Sequence, residues 1–351
     1  MLITGMSLNG RSDPAALAVR GLTAGEADDW DDLVRRSCNG TFLHTRRFLS
    51  YHRGRFADRS LLLHDRRGKV RGVLPAAVSP ADPETIVSHP GLTYGALVHD
   101  GSVRGAAMVA ALGEIAGHYR RLGYRRLRYK AVPAIYHSEP ADDDLYALFR
   151  LGARCDRSDL SATIDLTRRG RVSQRRIRSR KAAGAASVTT SDSWDDIGEF
   201  WAILEANLAQ RHAASPVHSA GDIQLLHSLF PDDIVLITAR AGQALAGGTV
   251  LFATGPVLHM QYTATTSEGR AACATDVVME RAIELARGGG YRYFDFGIST
   301  QSAGRILDEN LYQFKVSFGA GGVTYDHYEV DLRDPAPSAA TAEATDGRQT
   351  P

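Results

Sequence analysis

Lys315 stands in YQFKVSFG with Phe314, Val316 and Phe318 around it. An ammonium set in that much apolar surface runs its stem out to water or finds a partner. In the second case it could stabilise a developing oxyanion, or hold a carboxylate or a phosphate. Other chemistries are missing. Cys38, Cys155 and Cys273 are far apart, and neither CxxC nor HExxH occurs, so no metal site is expected. There is no GxSxG elbow and no Cys/His arrangement, so no covalent acyl-enzyme is expected either.

Lys315 belongs to a stretch, 290–322, around which the chain is organised. A helix over about 272–287 leads into it, with Val277, Val278, Ile283 and Leu285 on one face and Glu280, Arg281, Glu284 and Arg287 on the other. Gly288, Gly289 and Gly290 end that helix. Residues 291–296 alternate as a strand does, 297–304 are loop, 311–318 form a short helix carrying Lys315, and 323–332 a last strand.

Upstream, the spacing predicts strands at 17–22, 124–130 and 161–166, and helices at 25–37 (capped by Thr23), 42–52, 103–122 and 143–151. A hairpin joins 60–64 to 70–78 across DRRGK, 80–84 are loop, and 88–98 are strand and turn. The pattern then returns. WDDL at Trp30 recurs as WDDI at Trp194, and the hairpin turning at Gly68 recurs at Gly242. TYGALVHDG (93–101) recurs as QYTATTSEG (261–269), and GYRRLRY at Gly123 as GYRYFDF at Gly290. Four landmarks in one order imply two copies of one α/β unit. The expected fold is α/β (α+β), with a mixed central sheet in each unit. The divisions are a flexible tail at 1–16, a first unit at 17–166, a basic linker or helix at 167–181, a second unit at 182–332 and a disordered tail at 333–351.

Apolar residues make up 44% and charged residues 23% of the 351, ordinary for a globular chain. The net charge of +1 hides an asymmetry: 168–181 holds eight basic residues and no acidic one, leaving about −7 elsewhere. On a helix Arg171, Arg175 and Arg178 share one side, and Arg176 and Arg180 another. That run is either a solvated linker or a contact for phosphates, tRNA or another polyanion. Three scattered thiols, no secretory pattern at the start and no run near ~20 apolar residues imply a cytoplasmic protein.

A strand, helix, hairpin, strand, long helix, strand unit is the order of the GNAT acyltransferase fold. Two in tandem, with HPGLTYG, RRIRSRK, DFGIS and FKVSFGA, resemble the Fem family of peptidyl aminoacyltransferases and their acetyltransferase relatives over about 17–332. That resemblance implies transfer of an amino acid from aminoacyl-tRNA onto an amine of a peptide or small molecule, with no separate cofactor. It places Lys315 in the active site. The long coiled-coil arm of larger Fem proteins has no room here. The glycine pattern that binds the CoA pyrophosphate is incomplete in both SEGRAACA and DGSVRGAA, which speaks against acyl-CoA as donor.

Such a transfer must deprotonate an amine, stabilise an oxyanion and position both reactants. Asp295 is either a strand-end turn residue or the group that binds or deprotonates the amine. Tyr94 and Tyr262, at matching places in the repeat, are core tyrosines or substrate contacts. His89, Ser299 and Phe314 are further candidates for substrate binding, and Arg175, Arg176, Arg178 and Arg180 for tRNA phosphates. Acyl-CoA-dependent N-acetylation, and a tandem GNAT protein that only binds a peptide or polysaccharide, remain alternatives. Nothing in the sequence fixes the oligomeric state.

Overall fold

The structure, a computed structural model, describes residues 17–212 and 215–333. The tails expected at 1–16 and 333–351 lie outside the described residues, except for Arg333. The first half runs β1 (Ala18–Gly21), α1 (Ala27–Arg35), α2 (Arg46–Leu49), β2 (Leu61–His64), β3 (Val70–Leu74), β4 (Ala77–Ser79), β5 (Asp82–Val87), β6 (Val98–His99), α3 (Ala106–Arg121), β7 (Arg126–Lys130), α4 (Asp143–Arg150) and β8 (Arg154–Asp165). The basic α5 (Gln174–Ala185) follows. The second half runs β9 (Val188–Ser191), α6 (Ile197–His212), α7 (Ala220–Leu229), β10 (Ile234–Ala241), β11 (Ala244–Thr254), β12 (Val257–Thr265), α8 (Ser267–Ala271), α9 (Ala274–Gly288), β13 (Tyr293–Ile298), β14 (Thr300–Gln301), β15 (Ile306–Leu307), α10 (Glu309–Val316) and β16 (Gly321–Asp331).

The repeat survives in the packing. Helix α3 buries Ala111, Leu112, Ile115, Ala116 and Tyr119, and α9 buries Val278, Met279, Ala282, Ile283 and Ala286, each pair 167 residues apart. This is one apolar stripe at helical spacing, written twice. Gly123 and Gly290, also 167 apart, follow the two helices with φ of +88° and +76°.

The two expected sheets run into one. Ten strands pair in the order β4-β5-β7-β16-β8-β13-β12-β11-β10-β9, while β1-β2-β3-β6 form a separate four-stranded sheet. At the centre the last strands of the halves are exchanged: β16 lies between β7 and β8, and β8 between β16 and β13. Both pairings of β16 are antiparallel, as is that of β8 with β13. A cut in the basic stretch would therefore strip each half of the strand beside β7 or β13. The core follows suit, since one apolar cluster joins Leu43, Tyr94 and Leu148 to Phe200, Val250 and Tyr325.

In each half a strand upstream of the long helix, β5 or β12, pairs in parallel with the strand after it, and the halves then differ. In the second, β12 and β13 pair from Val257/Tyr293 to His259/Asp295 and separate. In the first, β5 and β7 pair from Thr85/Arg126 to Val87/Arg128. Residues 88–97 then fill the widening gap, with Ser88 N–H donating to Arg128 O (2.9 Å) and Gly95 N–H to Lys130 O (2.9 Å). The loop sits so close that a Cβ on Gly95 would come within 1.9 Å of the Ser88 carbonyl oxygen. Burial pushes the Lys130 ammonium down to about 7, and it is spent on the His89 and Leu92 carbonyls of the same loop.

The register corrects two sequence readings. Residues 80–84, expected as loop, include the start of β5, because Asp82 closes a tight turn opposite Ser79. Tyr94 is not the counterpart of Tyr262. It lies in a ten-residue insertion where the second half has only a bulge between Met260 and Tyr262.

Candidate active site

Asp295 is fully buried where β12 and β13 separate, and six donors converge on it. Its Oδ2 accepts from Tyr136 Oη (2.8 Å), His259 Nδ1 (2.9 Å) and Tyr325 Oη. Its Oδ1 accepts from Thr163 Oγ1 (2.9 Å), Ser161 Oγ and the Gly297 N–H (3.2 Å). Burial alone would raise its pKa. The hydrogen bond from His259, with the hydroxyls of Ser161 and Tyr325, outweighs burial and holds the carboxyl below the usual carboxylate range. Burial and the Asp295 charge push Tyr136 and Tyr325 well above the ordinary tyrosine value, so both stay protonated donors. The anion is thus fixed by both halves: Tyr136 comes from the turn after β7, Ser161 and Thr163 from the exchanged strand β8, and Tyr325 from β16.

A cavity of about 300 Å³ opens beside this cluster, lined by Thr93, His259, Met260, Gln261, Thr263, Phe296, Gly297, Ile298 and Tyr325. Thr263 also borders a second cavity of about 380 Å³ that runs past Leu204, Asn207 and Leu208 to Arg270, Thr275, Leu311 and Phe314. Lys315, in the last turn of α10, is 3% exposed and donates to Gly297 O (2.8 Å) and Ile298 O (2.7 Å), two residues on the first cavity's wall. Burial pushes its pKa down to about 8, against the opposing pull of Asp295 and Asp308. Ser299, the next residue in the chain after Ile298, is buried, and its Oγ has no hydrogen-bond partner.

The other expected residues divide. Phe314 borders the second cavity, and its ring lies 5.3 Å from that of Phe318. Tyr94 packs on Tyr136 (4.7 Å) behind the carboxylate cluster. His89 does not reach the site: its ring is held between His52 (4.8 Å) and Phe56 (5.3 Å), and burial pushes it down to about 3. Tyr262 lines neither cavity, and its hydroxyl meets His218 Nδ1 at 2.6 Å. Asp295 cannot bind or deprotonate an amine directly, because its lone pairs are all engaged and it is closed off from the cavity.

Of the basic residues, Arg175, Arg178 and Arg180 are exposed on α5. Arg176 is not a surface contact. It is buried, pairs with Asp276 in the first turn of α9 (2.8 Å), bonds Ser317 Oγ (2.8 Å) and lies over the Phe314 ring at 4.5 Å. Arg176→Ala would leave Asp276 buried and unpaired, eased by the positive end of α9. The expected loss of stability is about 3 kcal/mol, read from chemical denaturation, while Arg175→Ala should change stability by under ~0.5 kcal/mol.

Residues 167–313 match the family model of an acetyltransferase (GNAT) domain. No curated protein matches the sequence. Among solved structures, FemX superposes with a TM-score of 0.65 at 12% identity, over 91% of this chain and 98% of that one. The chain has the tandem GNAT fold. The C-terminal domain of a putative lysylphosphatidylglycerol synthetase from Agrobacterium fabrum follows at 0.57 and 12%, over 91% and 96% of the two chains. A tandem GNAT protein from the clavulanic acid biosynthesis pathway gives 0.51 and 15%, over 90% and 98%. Within this tandem GNAT fold the second unit, most of which matches the acetyltransferase (GNAT) domain, has an open cleft, and the first unit's equivalent gap is closed by its own loop. Among the described residues no helix is long and apolar enough to cross a membrane, and no group of His, Cys, Asp and Glu is placed to hold a metal ion.

Sequence reasoning missed His259, Tyr136, Tyr325, Ser161, Thr163 and Thr93. A signal existed for His259: in VLHMQYTAT it is a polar residue at the level where the parallel strands pair, directly across from Asp295. No local signal marks Tyr136 or Thr93, which reach the site from the other half.

Proposed function

We propose that the chain transfers an aminoacyl group from aminoacyl-tRNA to the amine of a small molecule or peptide, in the cleft between β12 and β13. The observation that carries this reading is the contrast between the halves: where the parallel strands part, one half has a cavity, with a second cavity sharing its Thr263, and the other has a loop-filled gap. Two neighbouring cavities suit two reactants held for direct attack. The ammonium of Lys315 spends two of its three N–H donors on wall carbonyls, leaving one for the carbonyl oxygen of the bound acyl group.

Two features favour tRNA as donor. Arg175, Arg178 and Arg180 are exposed on two sides of α5, which packs beside α9. Where a CoA-binding domain would carry a phosphate-cradling glycine loop, α8 stands instead. Its Gly269 serves packing, since a Cβ there would come within 2.1 Å of the Ala246 carbonyl oxygen. Acyl-CoA is the second reading, favoured by the largely apolar second cavity with Arg270 at its end.

The test is binding and turnover with bulk charged tRNA carrying labelled amino acids, against acetyl-CoA, over a panel of amino acids, short peptides and amino sugars. Charged tRNA should bind with a steep salt dependence. The triple change Arg175, Arg178 and Arg180 to Ala should weaken binding and flatten the log–log slope by about 2–3, at roughly 0.7–0.9 per phosphate contact. An unchanged slope would return the run to a solvated helix. Product from acetyl-CoA alone would establish the second reading. Binding without product from either donor would leave a tandem GNAT protein that only binds.

A further inference from the structure

We infer that His259 is the proton acceptor for the attacking amine and that Asp295 positions it, so that the 300 Å³ cavity bordered by Thr93, His259 and Gln261 is the amine's side of the cleft. This rests on the transfer reading above and deepens it. His259 is the one imidazole lining either cavity, and its Nδ1 is anchored 2.9 Å from Asp295 Oδ2. With that carboxylate ionised and committed to six donors, Nδ1 carries a proton and donates it. The remaining nitrogen, Nε2, is then an unprotonated acceptor. Two protonated tyrosines, Tyr136 and Tyr325, hold the carboxylate from below. They keep it from moving toward the amine, so proton transfer falls to the imidazole at its edge.

The step balances simply. The amine nitrogen attacks the acyl carbon, and a C–N bond forms as the ester C–O bond to the donor breaks. The amine's proton passes to His259 Nε2, and the released hydroxylate takes a proton from the resulting imidazolium. The charge of that imidazolium is offset by Asp295. The charged or titratable groups facing His259 are Asp295 on β13, Tyr136 on the turn after β7 and Tyr325 on β16, with Lys315 of α10 bonded to the Gly297 and Ile298 carbonyls of the same cavity wall.

Two measurements test this. The first needs no substrate: long-range nitrogen–proton NMR of the histidine-labelled protein at neutral pH should place the His259 proton on Nδ1. A proton on Nε2 would leave no acceptor facing the cavity and would overturn the inference. The second is His259→Asn, whose amide can still donate to Asp295 and so spare the fold. In whichever transfer the donor panel reveals, it should lower kcat/KM by ~10²–10⁴-fold and abolish the acidic limb of the pH profile, with KM for the donor little changed. A retained acidic limb with near wild-type kcat/KM would overturn it. If wild-type protein transfers nothing with any donor, the transfer reading fails, and the tautomer still decides whether His259 is arranged as a base.

Discussion

Asp295→Ala should cost about 5 kcal/mol or more, enough to consume much of the ~5–15 kcal/mol that holds a typical domain together. The loss is large because the carboxylate is shared. Removing it leaves Tyr136, Tyr325, Ser161, Thr163, His259 and the Gly297 N–H without their acceptor, most of them buried. A buried polar group left unsatisfied costs ~1–3 kcal/mol. The damage falls where β8 is exchanged between the halves, so both halves should loosen together, and denaturation should show one weakened transition. Asp295→Asn keeps the shape but swaps an acceptor oxygen for a donating nitrogen, and should recover only part of the loss. The pH dependence has a definite sign. The folded pKa lies below the unfolded value of ~3.9, so the stabilisation is full above ~4 and disappears as pH falls toward the folded pKa. The Ala variant should lack that acid-side slope. A variant as stable as wild type at pH 7, with the same slope, would mean the cluster is not the clamp described here.

The long-period features were legible in the sequence because they repeat. The stripes of α3 and α9 and their closing glycines sit 167 residues apart, and one periodicity argument finds both. The strand exchange was not legible: β8 and β16 each read as an ordinary last strand, and nothing local tells a strand which fifth strand it will border. The closed first cleft was hidden for a related reason. TYGALVHDG resembles QYTATTSEG in sequence, yet the first opens in the inserted loop and the second in strand β12. At the site, Lys315 and Asp295 stood out because charge in an aromatic run demands an explanation. Their partners did not, because Ser161, Thr163 and Tyr136 become polar anchors only once three distant segments meet. Asp295 was found for a sound reason and given the wrong task, since sequence cannot count the donors around a carboxylate.

Lys315→Met should lower transfer by ~10²–10³-fold while the protein stays folded. The side chain is buried over its length, and methionine keeps much of that stem. What it removes is the ammonium 2.7–2.8 Å from the Ile298 and Gly297 carbonyls, at the wall of the cavity where an acyl oxygen would gain charge. The stability effects oppose one another. Two carbonyls lose a donor at ~1 kcal/mol each, and a charge that burial disfavours is taken away. Their difference should leave the Tm within a few degrees of wild type at pH 7. Because the folded pKa of about 8 lies below the unfolded ~10.4, the unfolded chain binds more protons between those values, and wild-type stability rises with pH across that window. The variant lacks the group, so the difference in Tm should move in the wild type's favour from about pH 8 to ~10. The same titration predicts the rate: if the charged form serves the oxyanion, wild-type kcat falls as pH rises through about 8, and the variant's residual rate shows no such limb. Transfer by Lys315→Met at near wild-type rate, with the alkaline limb intact, would remove Lys315 from the chemistry and leave it a buried brace for the Gly297–Ile298 wall.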